Sequence, residues 1–229
     1  MIKKLVLILL RIVIGFFIST IIAVVAFKYI LIPITPLMVI RTAQQMANGK
    51  PIRFQKKWKP IAKISPQLQL AVFAAEDQFF LEHSGFNLKA IKEAMVFNKT
   101  HKIKRGASTI SQQTAKNVFL IPSRSYIRKA FETYFTFLIE LVWGKERIME
   151  VYLNVIEMGD GIYGAEAASQ AYYHCPAISL SASQAAAIAS ILPCPLRWRA
   201  VNPSPFVRSL QDNILHQMNN LRGTLDYTK

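Results

Sequence analysis

Two adjacent acidic residues, Glu76 and Asp77, end an alanine-rich stretch of the chain. They open the cluster EDQFFLEHSGF, which continues through aromatic residues and a histidine to Phe86. A carboxylate in such a position can accept a proton from a hydroxyl group, so Glu76 is a candidate general base. An ordinary helix end also carries such charges, and composition alone leaves that alternative open.

A second cluster, KRGASTISQQTAKN, runs from Lys104 to Asn117. Its basic loop leads into a predicted helix N-terminus, where free amide groups attract anions. The residues predicted to share one polar, cationic helix face are Thr109, Gln112, Gln113 and Lys116. A solvated surface is the alternative, but such surfaces usually mix acids with bases, and no acid lies between Glu93 and Glu132. The pattern therefore favours a site for an anion or a sugar.

Two further clusters combine cations with carboxylates. Arg128, Lys129 and Glu132 are predicted to share one face of a helix whose other side is aromatic, although an ordinary ion pair four residues apart would look the same. The members of the last cluster, which precedes a glycine-supported turn, are Lys145, Arg147, Glu150 and Asn154. Each cluster alone is a weak signal.

Together and in this order, the clusters resemble the five ordered motifs of glycosyltransferase family 51. The segments that carry the resemblance are EDQFFLEHSGF, RGASTISQQTAKN, RKAFETYFTFLIE, KERIMEVYLNVIEMGDGIYG and AAAIASILPCPLRWRAVNP. They cover about residues 67–203. The family contains the peptidoglycan glycosyltransferases, both bifunctional penicillin-binding proteins and monofunctional enzymes. No transpeptidase signature follows the fifth motif, so the resemblance is closest to the monofunctional, biosynthetic class (transglycosylases).

The resemblance implies lipid-linked substrates: a growing glycan chain on undecaprenyl pyrophosphate as donor, and lipid II as acceptor. The 4-hydroxyl group of the acceptor sugar would attack the anomeric carbon of the donor and invert it, which forms a β-1,4 linkage. Such a reaction needs a base for the hydroxyl proton and stabilisation of the departing pyrophosphate. It needs no general acid at the sugar oxygen, because pyrophosphate leaves as a stable anion.

Site residues follow by matching the family motifs. Glu76 matches the catalytic glutamate, and Glu132 matches a second important carboxylate. Lys116, Arg128 and Lys129 would hold phosphate oxygens, Arg by a forked contact and Lys as a point charge. A divalent cation, Mg²⁺ or Mn²⁺, is expected as a cofactor that bridges Glu132 and the pyrophosphate. The surrounding cations are also expected to keep the Glu76 carboxylate ionised.

Other residues receive supporting roles from the same resemblance. Those expected to orient sugar and phosphate groups are Ser108, Thr109, Gln112, Gln113 and Asn117. Lys145 and Arg147 are assigned to the acceptor side. The residues expected to support the site from behind are Asp77, Phe79, His83, Gly85, Glu150 and Asn154. For His83, a structural hydrogen bond is preferred over proton transfer.

Two rival functions remain to be compared with synthesis. A lytic enzyme that cleaves peptidoglycan on a related fold needs a second carboxylate flanking the bond and a placed water, and has no use for a cation cluster. A non-catalytic, membrane-tethered scaffold that binds anionic lipid or glycan is the other rival. It predicts that Glu76→Gln leaves function intact.

Helix signals dominate the chain from Ser65 onward, and period-two alternation is almost absent, which predicts a mainly α domain. Ser65, Asn87 and Ser108 are the predicted N-caps. After the first helix, at Pro66, the predicted helices are 88–98, 109–117, 126–143, 146–157, 165–173, 183–192 and 205–221. By resemblance, the fold is expected to be lysozyme-like, with a large lobe, a smaller mobile lobe and a cleft between them.

A membrane anchor is predicted at the N-terminus. Residues 5–34 carry only Arg11 and Lys28 as charges, and a membrane span takes roughly 20 apolar residues. Lys3, Lys4 and Arg11 favour a cytoplasmic N-terminus, which would place the catalytic part in the periplasm as a single-pass protein of the bacterial inner membrane. A cleaved signal peptide is the alternative, but no A-x-A cleavage site follows the apolar run.

The net charge of +15 implies an anionic partner, and no acidic residue precedes Glu76. Nucleic acid is the usual partner of such a chain, but the anchor argues for export, so no nucleic acid is expected. The expected partners are the lipid-linked substrates, the membrane, and proteins of a wall-synthesis or division complex.

Three segments are predicted: residues 1–34 as the cytoplasmic tip and anchor, 35–64 as a connector, and 65–229 as the catalytic domain. The connector is basic, contains prolines and shows no sustained period, so it is expected either to lie on anionic headgroups or to be a solvated linker. Cys175 and Cys194 either form a disulfide or remain two free, partly buried thiols.

Overall fold

A mainly α architecture is confirmed by the computed structural model, which describes residues 2–101, 106–123 and 125–228. The helices are α1 (Ile2–Tyr29), α2 (Pro36–Ala47), α3 (Pro66–Glu76), α4 (Leu88–Thr100), α5 (Ile110–Phe119), α6 (Tyr126–Val142), α7 (Lys145–Val155), α8 (Ala165–Tyr173), α9 (Ala182–Ile191) and α10 (Pro205–Asn220). The strands are β1 (Gln55–Lys56), β2 (Glu157–Gly159) and β3 (Ile162–Tyr163). Short 3-10 helices cover Ile61–Lys63 and Ala177–Ser179.

Helix α1 is long and apolar enough to cross a membrane. Its candidate span, Lys3–Tyr29, has a mean hydropathy of 2.8. The helix ends at Tyr29, earlier than the apolar run to residue 34 had indicated. The residue before a proline is disfavoured in the α region, so Ile32 cannot easily continue a helix into Pro33. Instead, the Ile32 side chain is buried in the core.

The segment predicted as an irregular connector is structured and packed onto the rest of the protein, which corrects that expectation. It contains α2 and β1, and the side chain of Met38 on α2 is fully buried. Thr35 and Pro36 occupy the N-cap and first-turn positions of α2, where proline is well tolerated. The domain boundary at residue 64 stays a prediction.

A small three-stranded sheet has the order β1-β3-β2, with β1 parallel and β2 antiparallel to β3. These strands are too short to show alternation in the sequence, so the sheet was not predicted. Gly161, in the turn between β2 and β3, has a φ of +71°, and a Cβ there would lie 2.2 Å from the carbonyl oxygen of Arg53. The glycine therefore lets the segment before β1 approach the hairpin closely.

Helix starts follow the predicted caps with one correction. The side chains of Ser65 and Asn87 accept hydrogen bonds from the backbone at the starts of α3 and α4, as predicted. Helix α5 is capped by Thr109 rather than Ser108, because Thr109 and Gln112 form a reciprocal capping box. Helix α7 ends at Val155 and not at residue 157, because Glu157 begins β2.

Two groups of helices form most of the core. Helix α3 packs on α9 and α10, while α5 packs on α6 and α7. The groups meet at the C-terminal end of α3, which carries the acidic pair. Cys175 and Cys194 are both free thiols, so the alternative of two partly buried thiols is the one that the structure supports.

Candidate active site

The carboxylate of Glu76 is held by a chain of two hydrogen bonds. The Gln113 side chain on α5 donates from Nε2 to Glu76 Oε2 at 2.6 Å. The hydroxyl group of Tyr152 on α7 donates to Gln113 Oε1, with an O···O distance of 3.3 Å. Because Tyr152 holds the amide oxygen, the amide NH₂ group must face Glu76. Three helices thus fix the orientation of one carboxylate.

Sequence analysis missed Tyr152. Its side chain is fully buried, and burial raises the pKa of its hydroxyl well above the ordinary value, with the charge of Glu76 as a smaller cause. The hydroxyl is therefore a permanent donor. A tyrosine on the buried face of an amphipathic helix looks like a core residue in the sequence, so no local signal separates the two roles.

Burial raises the pKa of Glu76, and the neighbouring charge of Asp77 adds to that rise. The hydrogen bond from Gln113 and the charge of Lys116 act in the opposite direction but are outweighed. Lys116 thus favours the ionised form, as expected of a neighbouring cation, but desolvation has the larger effect on the pKa of Glu76. A raised pKa suits a general base, because proton transfer is most efficient when the pKa lies near the working pH.

Asp77 links the first motif to the start of α5. Its Oδ2 accepts hydrogen bonds from the Ile110 backbone at 3.1 Å and from His83 Nε2 at 3.0 Å. His83 Nδ1 in turn accepts from the Gly85 backbone at 3.1 Å, so the ring proton lies on Nε2. This is the structural hydrogen bond that was preferred for His83. The hydrogen bond from the Ile110 backbone to Asp77 joins the second motif to the first.

Gly85 allows this corner to pack tightly. Its φ is +89°, and a Cβ at this position would lie 2.8 Å from Cγ2 of Thr136 on α6. Its carbonyl oxygen accepts a 2.7 Å hydrogen bond from the Thr109 hydroxyl. Only glycine combines this backbone conformation with such close contact at low cost.

A cationic cavity of about 600 Å³ lies beside this constellation. Lys116 on α5 and Arg128 on α6 line it together with Gln113 and Asn117. Burial lowers the pKa of Lys116, and the positive charge of Arg128 acts in the same direction, while Glu132 opposes them. An anion that enters the cavity would compensate a positive charge that the protein itself leaves poorly solvated.

Glu132 is buried and holds two of the predicted phosphate-binding cations. Its Oε2 accepts from Arg128 Nη1 at 2.5 Å, and its Oε1 accepts from Lys129 Nζ. The ion pair that sequence spacing allowed is therefore present. The carboxylate positions both cations close to the cavity.

This donor set does not fit a protein-held divalent cation. Both oxygens of Glu132 are engaged by Arg128 and Lys129. In the part of the chain that the structure describes, no group of three or more His, Cys, Asp or Glu side chains could hold a metal ion. A metal ligated by Glu132 would have to share its carboxylate oxygens with two positively charged side chains.

A second cavity has a volume of about 430 Å³. Glu76 lines it directly, together with Phe79, Asn87, Lys89 and Ser108. Ser108 and Phe79 are both exposed there. Gln113 lines the cationic cavity and bonds to Glu76, so one hydrogen bond connects the carboxylate of this cavity to the wall of the other.

Three of the predicted orienting residues have buried side chains that bond within the protein. Thr109 and Gln112 form the capping box of α5 and are almost fully buried. The Asn117 side chain donates to the carbonyl oxygen of Gln113 at 2.8 Å, although Asn117 also lines the cationic cavity. Of this motif, Ser108, Gln113 and Lys116 have the most accessible side chains. Lys104 and Arg105, which precede them, lie outside the described residues.

The two cations assigned to the acceptor side point elsewhere. Lys145 Nζ donates to the carbonyl oxygen of His83 at 2.5 Å and to Glu140 Oε1 at 2.7 Å. Arg147 donates from Nη2 to the carbonyl oxygens of Phe27 at 2.8 Å and Ile30 at 2.7 Å. Arg147 therefore joins α7 to the end of the apolar helix α1, and neither cation lines the two cavities.

Glu150 and Asn154, predicted as supports, hold the chain before α3 onto α7. Glu150 Oε2 accepts from the Ile61 backbone at 2.8 Å. The Asn154 side chain accepts from the Lys59 backbone N–H and donates to its carbonyl oxygen, both at 2.8 Å. These contacts are structural and lie away from Glu76.

Arg41 and Glu157 also line the cationic cavity and were not assigned from the sequence. Arg41 on α2 donates from Nε to Glu157 Oε1 at 3.0 Å and from Nη2 to Oε2 at 3.1 Å. Burial raises the pKa of Glu157, while the bonds from Arg41 lower it. In the sequence, Arg41 is one of several cations in an apparently irregular segment, so no signal distinguished it.

An exposed apolar surface flanks the cationic cavity. Large apolar side chains that are more than half exposed occur just before α6 and along its outer face: Ile121, Tyr126, Ile127, Phe137 and Leu141. Apolar patches of this kind mark contacts with membranes or partner proteins. The sequence had not located this surface.

Comparison with known proteins places the chain among transglycosylases. The family model described as Transglycosylase matches residues 43–219, from within α2 to the end of α10. A protein of Bacteroides thetaiotaomicron, named biosynthetic peptidoglycan transglycosylase, is 53% identical over 204 residues, 89% of this chain and 82% of that protein. Proteins of the same name from Bdellovibrio bacteriovorus and Pseudomonas putida are 51% and 47% identical, over 89% and 90% of this chain and 81% and 87% of their own lengths.

Proposed function

The chain belongs to the transglycosylase family and is a peptidoglycan glycosyltransferase that polymerises glycan chains for the cell wall; on this premise we propose that Glu76 is its general base. The observation that carries the proposal is that Glu76 lines one cavity and is hydrogen-bonded to Gln113, which lines a second, cationic cavity. Inverting glycosyl transfer requires a base beside the attacking hydroxyl group and positive charge near the departing phosphate.

The proposed reaction joins lipid II to a growing chain on undecaprenyl pyrophosphate. The 4-oxygen of the acceptor sugar forms a bond to the anomeric carbon of the donor, and the bond from that carbon to pyrophosphate breaks. The hydroxyl proton passes to the Glu76 carboxylate, and the electron pair of the broken bond leaves with undecaprenyl pyrophosphate. General base catalysis of this kind contributes about 10²–10⁴-fold.

We assign the donor pyrophosphate to the cationic cavity. Lys116 and Arg128 line the cavity, and Lys129 is held beside Arg128 by Glu132. Preorganised cations stabilise charge that develops on the leaving group, because they do not have to reorganise during the reaction. Glu132 therefore acts by positioning two phosphate-binding side chains. No step in this mechanism passes through a metal ion, and the expected Mg²⁺ or Mn²⁺ stays a prediction.

The acceptor is assigned to the second cavity, which Glu76 itself lines. Ser108 and Lys89 line that cavity and offer a hydroxyl group and a cation to the acceptor. This replaces the earlier assignment of Lys145 and Arg147, whose side chains bond to the protein's own carbonyl groups.

The proposed topology has a single membrane pass. Lys3, Lys4 and Arg11 favour a cytoplasmic N-terminus, so the catalytic part would lie in the periplasm. The exposed apolar surface along α6 would then rest in the membrane near the lipid-linked substrates. Protein partners in a wall-synthesis complex stay a prediction.

A lytic function is not favoured by this geometry. Hydrolysis of a glycosidic bond usually needs a second carboxylate that flanks the bond or activates a water. The nearest candidate from the motifs, Glu132, is engaged by Arg128 and Lys129. Asp77 is engaged by the Ile110 backbone and His83.

Purified full-length protein with lipid II tests the proposal. Long glycan that lysozyme digests is the expected product, and Glu76→Gln should abolish it. A parallel reaction with a metal chelator tests the expected cofactor separately. Absence of polymer from the wild-type protein, with and without added Mg²⁺, would reject the proposed reaction.

A further inference from the structure

We propose that an apolar cavity between α1 and α6 binds the polyprenyl chain of the donor; this inference rests on the proposed function. Helix α1 does not simply tether the domain. The hydroxyl groups of Thr20 and Tyr134 are 2.8 Å apart, and Trp143 Nε1 donates to the carbonyl oxygen of Val24 at 2.7 Å. The membrane helix is therefore docked against the catalytic domain along several turns.

A cavity of about 330 Å³ remains between the docked helices. Its lining residues are Phe16, Thr20, Ala23, Phe119, Leu120, Phe131 and Phe135. No charged side chain is among these described residues, and the one polar side chain, Thr20, already bonds to the Phe17 carbonyl oxygen and the Tyr134 hydroxyl. A space with satisfied polar atoms and aromatic walls favours an apolar occupant over water.

The cavity shares a wall with the proposed pyrophosphate site. Leu120, just after the end of α5, lines both the apolar cavity and the cationic cavity that contains Lys116 and Arg128. A cationic site next to an apolar one matches a ligand whose phosphate is joined directly to a hydrocarbon chain. A soluble phosphate ligand would leave the apolar cavity unused.

The position along α1 agrees with this ligand. Phe16, Thr20 and Ala23 lie within the candidate membrane span Lys3–Tyr29, so one wall of the cavity belongs to the helix that is apolar enough to cross the bilayer. A polyprenyl chain could thus enter from the bilayer while its pyrophosphate remains outside. Burial stabilises an apolar chain strongly when the chain leaves water, but less when it leaves lipid instead. The main effect is therefore expected on positioning and selectivity for the prenyl donor.

Ala23→Phe tests the inference, because a larger side chain from α1 would fill the cavity. Ile22→Phe is the matched control, since Ile22 is the preceding residue of α1 and is 62% exposed. Binding of two probes to the full chain in detergent micelles is compared: undecaprenyl pyrophosphate and inorganic pyrophosphate. We expect Ala23→Phe to weaken binding of undecaprenyl pyrophosphate about tenfold or more and to leave binding of pyrophosphate unchanged. Ile22→Phe should change neither.

Equal binding of undecaprenyl pyrophosphate by Ala23→Phe and wild type would overturn the inference, as would equal weakening of both probes. Wild-type protein that binds neither probe would instead reject the proposed pyrophosphate site. If Ala23→Phe does not fold, the inference is tested on the wild-type protein by crosslinking it to undecaprenyl pyrophosphate that carries a photoreactive group on its polyprenyl chain. Crosslinks to residues 16–23 or 131–135 support the cavity, and crosslinks only elsewhere reject it. If an excess of plain phospholipid competes these crosslinks away, bulk lipid is the occupant of the cavity and the inference is rejected.

Discussion

Glu76→Gln separates the chemical role of this residue from its structural one. The substituted amide retains an oxygen that can accept the hydrogen bond from Gln113, which now spans 2.6 Å. Tyr152 continues to hold the other end of Gln113, so the geometry of the site should survive. The change removes the ability to take up a proton and little else.

The expected loss of polymerisation rate is about 10²–10⁴-fold, or roughly 2.7–5.5 kcal/mol in the activation barrier. Stability should move in the opposite direction. Burial raises the pKa of Glu76, so the folded protein disfavours the ionised carboxylate relative to the unfolded chain. The stability that this residue contributes is complete at low pH, where it is protonated in both states, and is lost as the pH rises through its raised folded pKa.

The variant should therefore match the wild type in thermal stability at low pH and exceed it at neutral pH. Thermal unfolding at the two pH values, together with the rate of glycan formation from lipid II, measures both effects. Polymerisation by Glu76→Gln within tenfold of the wild-type rate would refute the assignment of the base. A variant that is less stable than wild type at neutral pH would show that the site had been disturbed, and would contradict the direction of the pKa shift.

Four further outcomes are expected. The rate of polymerisation should rise with pH as Glu76 loses its proton at a raised pKa, and fall again as Lys116 loses its own at a lowered pKa, which a pH–rate profile measures. Lys116→Met should weaken pyrophosphate binding yet raise the melting temperature at neutral pH, because burial disfavours the charged ammonium; a lower melting temperature would contradict this. Tyr152→Phe should lower kcat about tenfold with little change in KM. It should also raise the pH at which the rate begins to increase in the pH–rate profile. If that pH is unchanged, Tyr152 does not position the catalytic carboxylate. Gly85→Ala should destabilise the fold by about 1–3 kcal/mol more than Gly49→Ala. Both glycines have a positive φ, but only a Cβ at Gly85 would meet a side chain, at 2.8 Å. Equal losses of unfolding free energy in chemical denaturation would show that this contact does not destabilise the variant.

Local pattern was enough to predict much of the fold. Ser65 and Asn87 cap helices in the structure as they were predicted to do, and α8 has the predicted bounds. These features depend on residues a few positions apart, so a single sequence contains the information. Helix α2 and the small sheet were missed for the opposite reason. The burial of Met38 depends on its packing against the rest of the domain. Strand β1 pairs with β3, which lies about a hundred residues further along the chain.

The sequence by itself determined which residues carry charge, which segment is apolar enough to span a membrane, and, through its ordered motifs, the family. Only the tertiary structure decided which of those residues face a common space. It brought Gln113 and Tyr152 to Glu76, turned Arg147 toward the end of α1, and made burial the largest influence on the pKa of Glu76. The physical reason is that burial depends on what surrounds a side chain in three dimensions. The neighbours that desolvate Glu76 come from helices distant in sequence, whereas the cations that were expected to dominate are visible along the chain.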